Sequence, residues 1–533
     1  MAAIFNPSNN LSYSNPQKPH FHSLRRAFPL ALFSHLEKPQ TPNQTSIPDH
    51  KLVVVGGSKL SGHVDISGSK NSALAVLAGT LCCSGTSKLH NIPNLSDIRT
   101  MVSILKSLGA RIEASNGEMT IETDGIRSVE PCSDEVGTIR GGFFVVGPLL
   151  ARFGEAIVAL PGGCDIGARP IDLYIRGLRA LGAVVELKFI QFLNARFHTI
   201  GRSVDAKHDN LDLWTINTSS IWKLIHLGQA VLQWNGKVHA HAANGKGLIG
   251  GRFHLDYPSV GATETLMMAA CMADGVTVLS NVAQEPEVAD LARFLTDSGA
   301  HVEGVGSRKL IINGRNWLHG PEYTIIPDRI EAGTFMLAAA ITRSCISMSP
   351  VIPCHLSCLT DKLSAVGCKI SHCTHDTLEI SAVPANIQGF DVKTGPFPWF
   401  PTDLQPQIMA LLTTCNGSSI VEESVFEERM GHVRELQKFG ARIQVCGSTA
   451  LVFGKEQGSA LYGSHVAATD LRGGASLVLA GLAAEGMTEI NGISHVDRGY
   501  ENLEIKLQFL GADIKRLIHL PVSYDKKITL RAS

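Results

Sequence analysis

The chain lacks a charge excess of either sign: 47 Lys and Arg face 48 Asp and Glu across 533 residues. With no basic stripe, nucleic acid is excluded as a partner. No run of about eighteen apolar residues occurs, so no segment is expected to span a membrane. The 12 cysteines are scattered without a C-x-x-C pair, and the 21 histidines show no metal-ligand spacing. Structural disulfides and metals are therefore not expected, and a reducing compartment is implied. Cys82 and Cys83, adjacent on an apolar stretch, are expected in a core. His239 and His241 are expected on one face of an exposed strand.

The first 48 residues are poor in acids. They hold Glu37 but also Lys18, Arg25, Arg26 and Lys38 among many Ser, Asn, Pro and His. A secretory signal would need a longer apolar block. This composition reads as a plastid transit peptide, with the stroma as destination; a mitochondrial address is the rival.

One signature occurs six times: a helical pattern, a turn through glycine, then a strand. The turns are LGARI, LGAVV, SGAHV, VGCKI, FGARI and LGADI, with glycines at 109, 182, 299, 367, 440 and 511. Each glycine sits where a helix ends in a left-handed residue. The first helical pattern places Ile98, Met101, Val102, Leu105 and Leu108 on one face. A second, more apolar helix opens each unit: NSALAVLAGTL, GGFFVVGPLLA, VGATETLMMAACMA, EAGTFMLAAAI, DLQPQIMALLTT and GGASLVLAGLAA. Apolar nearly all round, these helices should be buried. The unit reads as βαβαβ, and its buried helices can pack together inside a shell.

The glycine intervals are 73, 117, 68, 73 and 71 residues, so the second is about 46 too long. Residues 184–188, VVELK, form a strand, and Asn235-Gly236 is a hairpin dipeptide before KVHAHA. Removing residues 189–234 joins the two strands cleanly. That block holds Trp214, Trp222 and Trp234, three of the five tryptophans. It reads as translated intron sequence outside the working enzyme; a regulatory insertion is the alternative.

The loop LPGGCDIGARP at 160–170 carries the sharpest chemistry. Gly162 and Gly163 permit positive φ and close approach to a ligand. Arg169 can hold a phosphate or carboxylate in a planar fork. A nearby cation favours thiolate chemistry at Cys164. An incidental thiol on a surface loop is the plain alternative.

Seven motifs then follow in order: DISGSKNSALAVLAG, LPGGCDIGARPIDL, LDYPSVGATE, PDRIEAGTF, FPTDLQPQ, ATDLRGGASLVLAG and HVDRGYE. Together they resemble the UDP-N-acetylglucosamine 1-carboxyvinyltransferase family of enolpyruvyl transferases, over about residues 51–515 apart from 189–234. The resemblance implies two inside-out α/β barrel-like domains of three repeats each. Residues 49–69 with 328–533 would form the first and 70–327 the second, with 189–234 inserted in it. It also implies transfer of the enolpyruvyl group of phosphoenolpyruvate to the 3′-hydroxyl of UDP-N-acetylglucosamine, by addition and elimination. No cofactor is implied, and a monomer is expected.

By resemblance, Cys164 donates a proton to the methylene carbon and is the target of fosfomycin. Asp403 is the base at the sugar hydroxyl; its plain alternative is a helix N-cap. Lys70, Asn71, Arg169, Arg472 and Arg498 match the residues around phosphoenolpyruvate, and Lys70 counts as catalytic. Arg140, Arg169, Pro170, Ile171, Asp172, Leu173, Tyr257, Pro258, Ser259, Val260, Asp403 and Val425 match those lining the nucleotide-sugar site. Arg429 and Asp328 lie in matching motifs. Tyr257 departs from a lysine in several bacterial members. VFEERMGHVREL departs from VFENRFMHVPEL at Glu428, Met430, Gly431 and Arg434. Two rival readings remain: a shikimate-type enolpyruvyl transferase, and a non-catalytic descendant.

Overall fold

The computed structural model describes residues 49–189 and 236–519, apart from 165, 168, 244, 246, 384, 385 and 456–459. The expected transit peptide, and all of the insertion except its first residue, lie outside the described residues.

Six buried helices organise the chain: α1 (Lys70–Gly79), α2 (Val146–Phe153), α3 (Val260–Ala270), α4 (Arg329–Ile341), α5 (Gln405–Leu412) and α6 (Leu471–Ala483). They match the six apolar segments. In α1, Val76 and Leu77 are fully buried, each stabilising the fold by roughly 1.5–3 kcal/mol. Polar caps start four of them. Ser69, Ser259, Asp328 and Asp470 accept backbone N–H groups at the openings of α1, α3, α4 and α6. The second segment is only partly α-helical: a 3-10 turn at Arg140–Val145 precedes α2. Two glycines weaken that turn, and Pro148 is tolerated only in the opening turn of an α-helix.

Each buried helix belongs to a repeat, seen most simply in the third. Strand Arg252–His254 runs parallel to Val276–Ser280 on either side of α3. An outer helix, Pro286–Asp297, and a hairpin of His301–Glu303 with Lys309–Asn313 complete the sheet. The repeat is thus βαβαββ, one strand longer than expected, because the strand after the glycine turn folds back on itself. All six turn glycines have positive φ, from 81° at Gly182 to 110° at Gly109. In the first outer helix Ile104 is buried along with the expected residues, whereas Val102 is half-buried.

There are six sheets among the described residues, five of four strands and one of three. Two repeats exchange their first strands. Ser61–Asp65, which leads into α1, pairs with Cys345–Ser349 after α4. Glu322–Thr324, which leads into α4, pairs with Thr86–His90 after α1. The crossing segments bond to each other: Ser69 N–H to Ile326 O at 2.7 Å and Asp328 N–H to Ser67 O at 2.8 Å. Strand Asp49–Val55 lies between Met487–Asn491 and Asp513–His519, completing the last sheet. Buried apolar side chains form two clusters. One spans 73–325; the other joins 52–66 to 330–514.

The hairpin around the insertion forms as expected. Ala183–Phe189 pairs antiparallel with Gly236–Ala242, with Lys188 opposite Lys237 and Phe189 opposite Gly236. The ladder thus takes in Phe189, the first residue of the 189–234 block. Cys82 and Cys83 are buried, and His239 is half-buried beside an exposed His241.

Candidate active site

Cys164 sits on the loop between strand Glu155–Ala159 and helix Asp172–Ala180. The two loop glycines do different work. Gly163 takes φ 120°, while a Cβ at Gly162 would lie 1.7 Å from Gly137 O. Arg169 pins the loop by donating to Cys164 O at 2.8 Å. The loop abuts the other half of the chain: Gly167 faces the Glu428 backbone, and Arg169 lies 5.9 Å over the Phe426 ring.

Arg498 arrives from the 3-10 turn Ile493–Arg498, with Nη1 3.5 Å from Cys164 Sγ. Its Nε donates to Asp97 Oδ1 at 2.8 Å, and Lys70 Nζ meets Asp97 Oδ2 at 2.8 Å. Burial would raise the Asp97 carboxyl, but Lys70 and Arg498 hold it below the usual carboxylate range. Asp97 escaped the sequence reading. Its only signal was an acid in the first turn of the outer helix Ser96–Leu108, which reads equally as a favourable dipole contact.

Asp403 is the second centre. Oδ1 accepts from Arg429 Nη1 at 2.8 Å; Oδ2 accepts from Arg472 Nη2 at 3.1 Å and Nε at 3.3 Å. Burial pushes this carboxyl up, yet Arg472, Arg429 and Lys70 hold it well below the usual range. Its side chain caps no helix, so the N-cap alternative falls. Nη1 of Arg472 and Nε of Arg429 are buried with no hydrogen-bond partner among the described residues. Burial lowers the Arg169 guanidinium, as do the charges of Arg140 and Arg429. So dense a set of cations favours an anionic ligand.

The residues matched to the nucleotide sugar form an adjoining wall. Arg140 stacks 5.9 Å over Tyr174, and its Nη2 lies 3.4 Å from Pro170 O. Ile171 and Leu173 are buried, while Asp172 points outward near Arg176. Tyr257 is 48% exposed, and Pro258, Ser259 and Val260 lead into α3. Val425 N–H is held by Glu423 Oε1 at 2.8 Å. Asn71 is the second residue of α1, beside Lys70. His432, between the altered Gly431 and Arg434, is buried with neither ring nitrogen hydrogen-bonded among the described residues.

Known proteins resemble this chain along most of its length. The family described as EPSP synthase (3-phosphoshikimate 1-carboxyvinyltransferase) matches residues 54–200 and 220–507. A UDP-N-acetylglucosamine 1-carboxyvinyltransferase of Gloeobacter violaceus is 46% identical over 494 residues, covering 92% of this chain and 95% of its own. One of Synechocystis is 42% identical over 477 residues, covering 90% and 98%. The enolpyruvyl transferase NikO of Streptomyces tendae has the same fold, with TM-score 0.71 and 24% identity over 89% of this chain and all of its own. An EPSP synthase of Acinetobacter baumannii gives 0.61 and 16%, covering 88% of this chain and all of its own. The chain belongs to the UDP-N-acetylglucosamine 1-carboxyvinyltransferase family of enolpyruvyl transferases.

Proposed function

We propose that the protein transfers the enolpyruvyl group of phosphoenolpyruvate to the 3′-hydroxyl of UDP-N-acetylglucosamine and releases phosphate, the opening step of peptidoglycan precursor synthesis. The carrying observation is the placement of Cys164 beside Arg498, which Asp97 joins to Lys70, with Arg169 bonded to the Cys164 carbonyl. In the addition step Cys164 gives a proton to the methylene carbon, and Asp403 takes the proton of the sugar hydroxyl. The sugar oxygen bonds to the central carbon, giving a tetrahedral intermediate. Elimination then removes a methyl proton and phosphate and restores the double bond. Lys70, Asn71, Arg169, Arg472 and Arg498 hold the phosphate and carboxylate. Arg140, Tyr257 and the 170–173 and 258–260 segments, with Val425, hold the nucleotide sugar.

Asp403 clamped by two guanidinium groups is a weak base. An anion that draws Arg472 or Arg429 toward itself restores the basicity, so the base is armed only when phosphoenolpyruvate is bound. The shikimate-type alternative is disfavoured by the cysteine loop and by the named relatives. Phosphate release assayed with UDP-N-acetylglucosamine, and separately with shikimate 3-phosphate, tests the reading. Release only with the second acceptor would overturn it, and release with neither would favour the non-catalytic descendant.

The protein acts as a monomer whose two halves, 49–69 with 328–533 and 70–327, close on the substrates by hinging at the two crossings. It works in the plastid stroma after loss of the first 48 residues; its cyanobacterial relatives are compatible with that origin. A fluorescent fusion of residues 1–60 that stayed in the cytosol or entered mitochondria would defeat the plastid assignment.

A further inference from the structure

Gln407 and Tyr500 belong to none of the contacts assigned above, yet Gln407 is buried against Asp403 and Tyr500 against Arg472. Gln407, in the first turn of α5, is 0% exposed. Its Nε2 lies 2.9 Å from Tyr500 OH, 3.0 Å from the Asp403 carbonyl oxygen and 3.3 Å from Thr334 Oγ1. Tyr500 OH also lies 2.9 Å from Thr334 Oγ1. The direction of the bond between Thr334 and Tyr500 follows from their other partners. Thr334 Oγ1 gives its hydrogen to Ile330 O at 2.8 Å, so it accepts from the Tyr500 hydroxyl. The Tyr500 oxygen in turn accepts from Gln407. The guanidinium of Arg472 rests 5.1 Å over the Tyr500 ring. Tyr500 is also two residues from Arg498, so the same anchor holds the turn that reaches Cys164.

We propose that Gln407 and Tyr500 are positioning residues that lock the base Asp403, the cation Arg472 and the Arg498 turn into one frame. The proposal rests on the enolpyruvyl transfer put forward above. Thr334, Gln407 and Arg472 come from α4, α5 and α6, the three buried helices of one core, and the Tyr500 ring is the piece they share. Gln407 ties the backbone of the base to that ring. Arg472 Nη1 has no hydrogen-bond partner among the described residues, and the Tyr500 ring under the guanidinium fixes where it lies. Small misplacements of such groups cost much in rate.

The test uses Tyr500→Phe and Gln407→Leu, with Thr334→Val as the mild third variant should Gln407→Leu not fold. Folding is checked by circular dichroism and the thermal midpoint. The wild type is first assayed for phosphate release with UDP-N-acetylglucosamine, which tests the activity by itself. The expected result is a fall in kcat of about 10-fold or more, a comparable weakening of phosphoenolpyruvate affinity by calorimetry, and a smaller change in nucleotide-sugar affinity. The acid limb of the kcat profile should move to higher pH, because Asp403 loses part of its hold on Arg472. The double variant should be no worse than the more damaged single one. Folded variants with a lower midpoint but normal kcat, phosphoenolpyruvate affinity and pH profile would overturn the proposal. The affinity readout decides it even if the wild type turns over neither acceptor.

Discussion

At the scale of the residue, Asp97 changes how the site works. It links Lys70 to Arg498, and through Arg498 to the Cys164 sulfur, so two cations from opposite halves share one carboxylate. Cys164→Ser should abolish most turnover and spare nucleotide-sugar affinity, since a hydroxyl is a far weaker acid than a thiol. Intact mass after fosfomycin treatment should show one adduct on the wild type and none on the variant. An unmodified wild type that still turns over would remove Cys164 from its role. Asp403→Asn keeps the shape but not the basicity, and should cost ~10²–10⁴-fold in kcat; a near-normal rate would assign the base to another group. The site was legible where chemistry needs rare residue types in short motifs, as at Cys164, Lys70 and Asp403. Asp97 was not, because an acid opening an exposed-looking helix carries no mark of the distant Arg498 that meets it. His432 was hidden for a similar reason. Burial holds its imidazole below the ordinary value of about 6.5, against the pull of Asp470 and with the push of Arg429. His355 is likewise held at about 4 by burial and by Arg329 and Arg293. In the unfolded chain both bind a proton below about pH 6.5, while in the fold they stay neutral. Stability should therefore be full above that pH and fall between about 6.5 and 4. Urea midpoints at pH 7.5 and 5.0 should converge in a His432→Phe, His355→Phe double variant; an undiminished acid loss would place the cause elsewhere.

At the scale of the element, the fold was read from two punctuation marks, the turn glycine and the apolar helix. Both are local, and both survive in all six repeats. What stayed hidden is non-local. The hairpin that adds a strand to the first five repeats depends on pairing that no local pattern marks, the last repeat takes that strand from Asp49–Val55 instead, and the exchange of first strands depends on two segments some 260 residues apart. Asp328 shows how the exchange is held. Its Oδ1 accepts the N–H groups of Ile330 at 2.8 Å and Glu331 at 3.0 Å, capping α4. Its Oδ2 accepts the Lys70 N–H at 3.1 Å, serving the opening of α1 as well. One buried carboxylate thus satisfies the starts of both crossover helices. Asp328→Ala should cost about 1–2 kcal/mol for the lost cap and about 1–3 kcal/mol more for the stranded Lys70 donor. Asp328→Asn, which keeps an acceptor oxygen, should recover part of that. Chemical denaturation of both variants checks the order; equal stability of Ala and wild type would mean that the crossing needs no such cap.

At the scale of the whole molecule, the question is what residues 189–234 add to a fold whose cores and sheets form around their edges. Lys188 and Lys237 stand directly opposite each other in the ladder. Joining Lys188 to Asn235 would leave Asn235-Gly236 as a two-residue loop between that pair, the connection that Asn-Gly favours in a type I′ turn. Closing so short a loop costs less entropy than closing one some 46 residues longer, by about 2–3 kcal/mol on the logarithmic scaling. The deletion variant should therefore fold with a higher denaturation midpoint. Its turnover should stay within about twofold of the full chain, because the site residues Cys164 and Arg169 lie in the preceding loop and Tyr257 beyond the next strand, all outside the excised block. Loss of turnover in a folded deletion variant would make the block a working insertion. Mass spectrometry of the native protein gives an independent decision. A peptide running from Lys188 directly into Asn235 would establish that the block is absent from the mature enzyme, whereas abundant peptides containing Trp214 or Trp222 would establish that it is present.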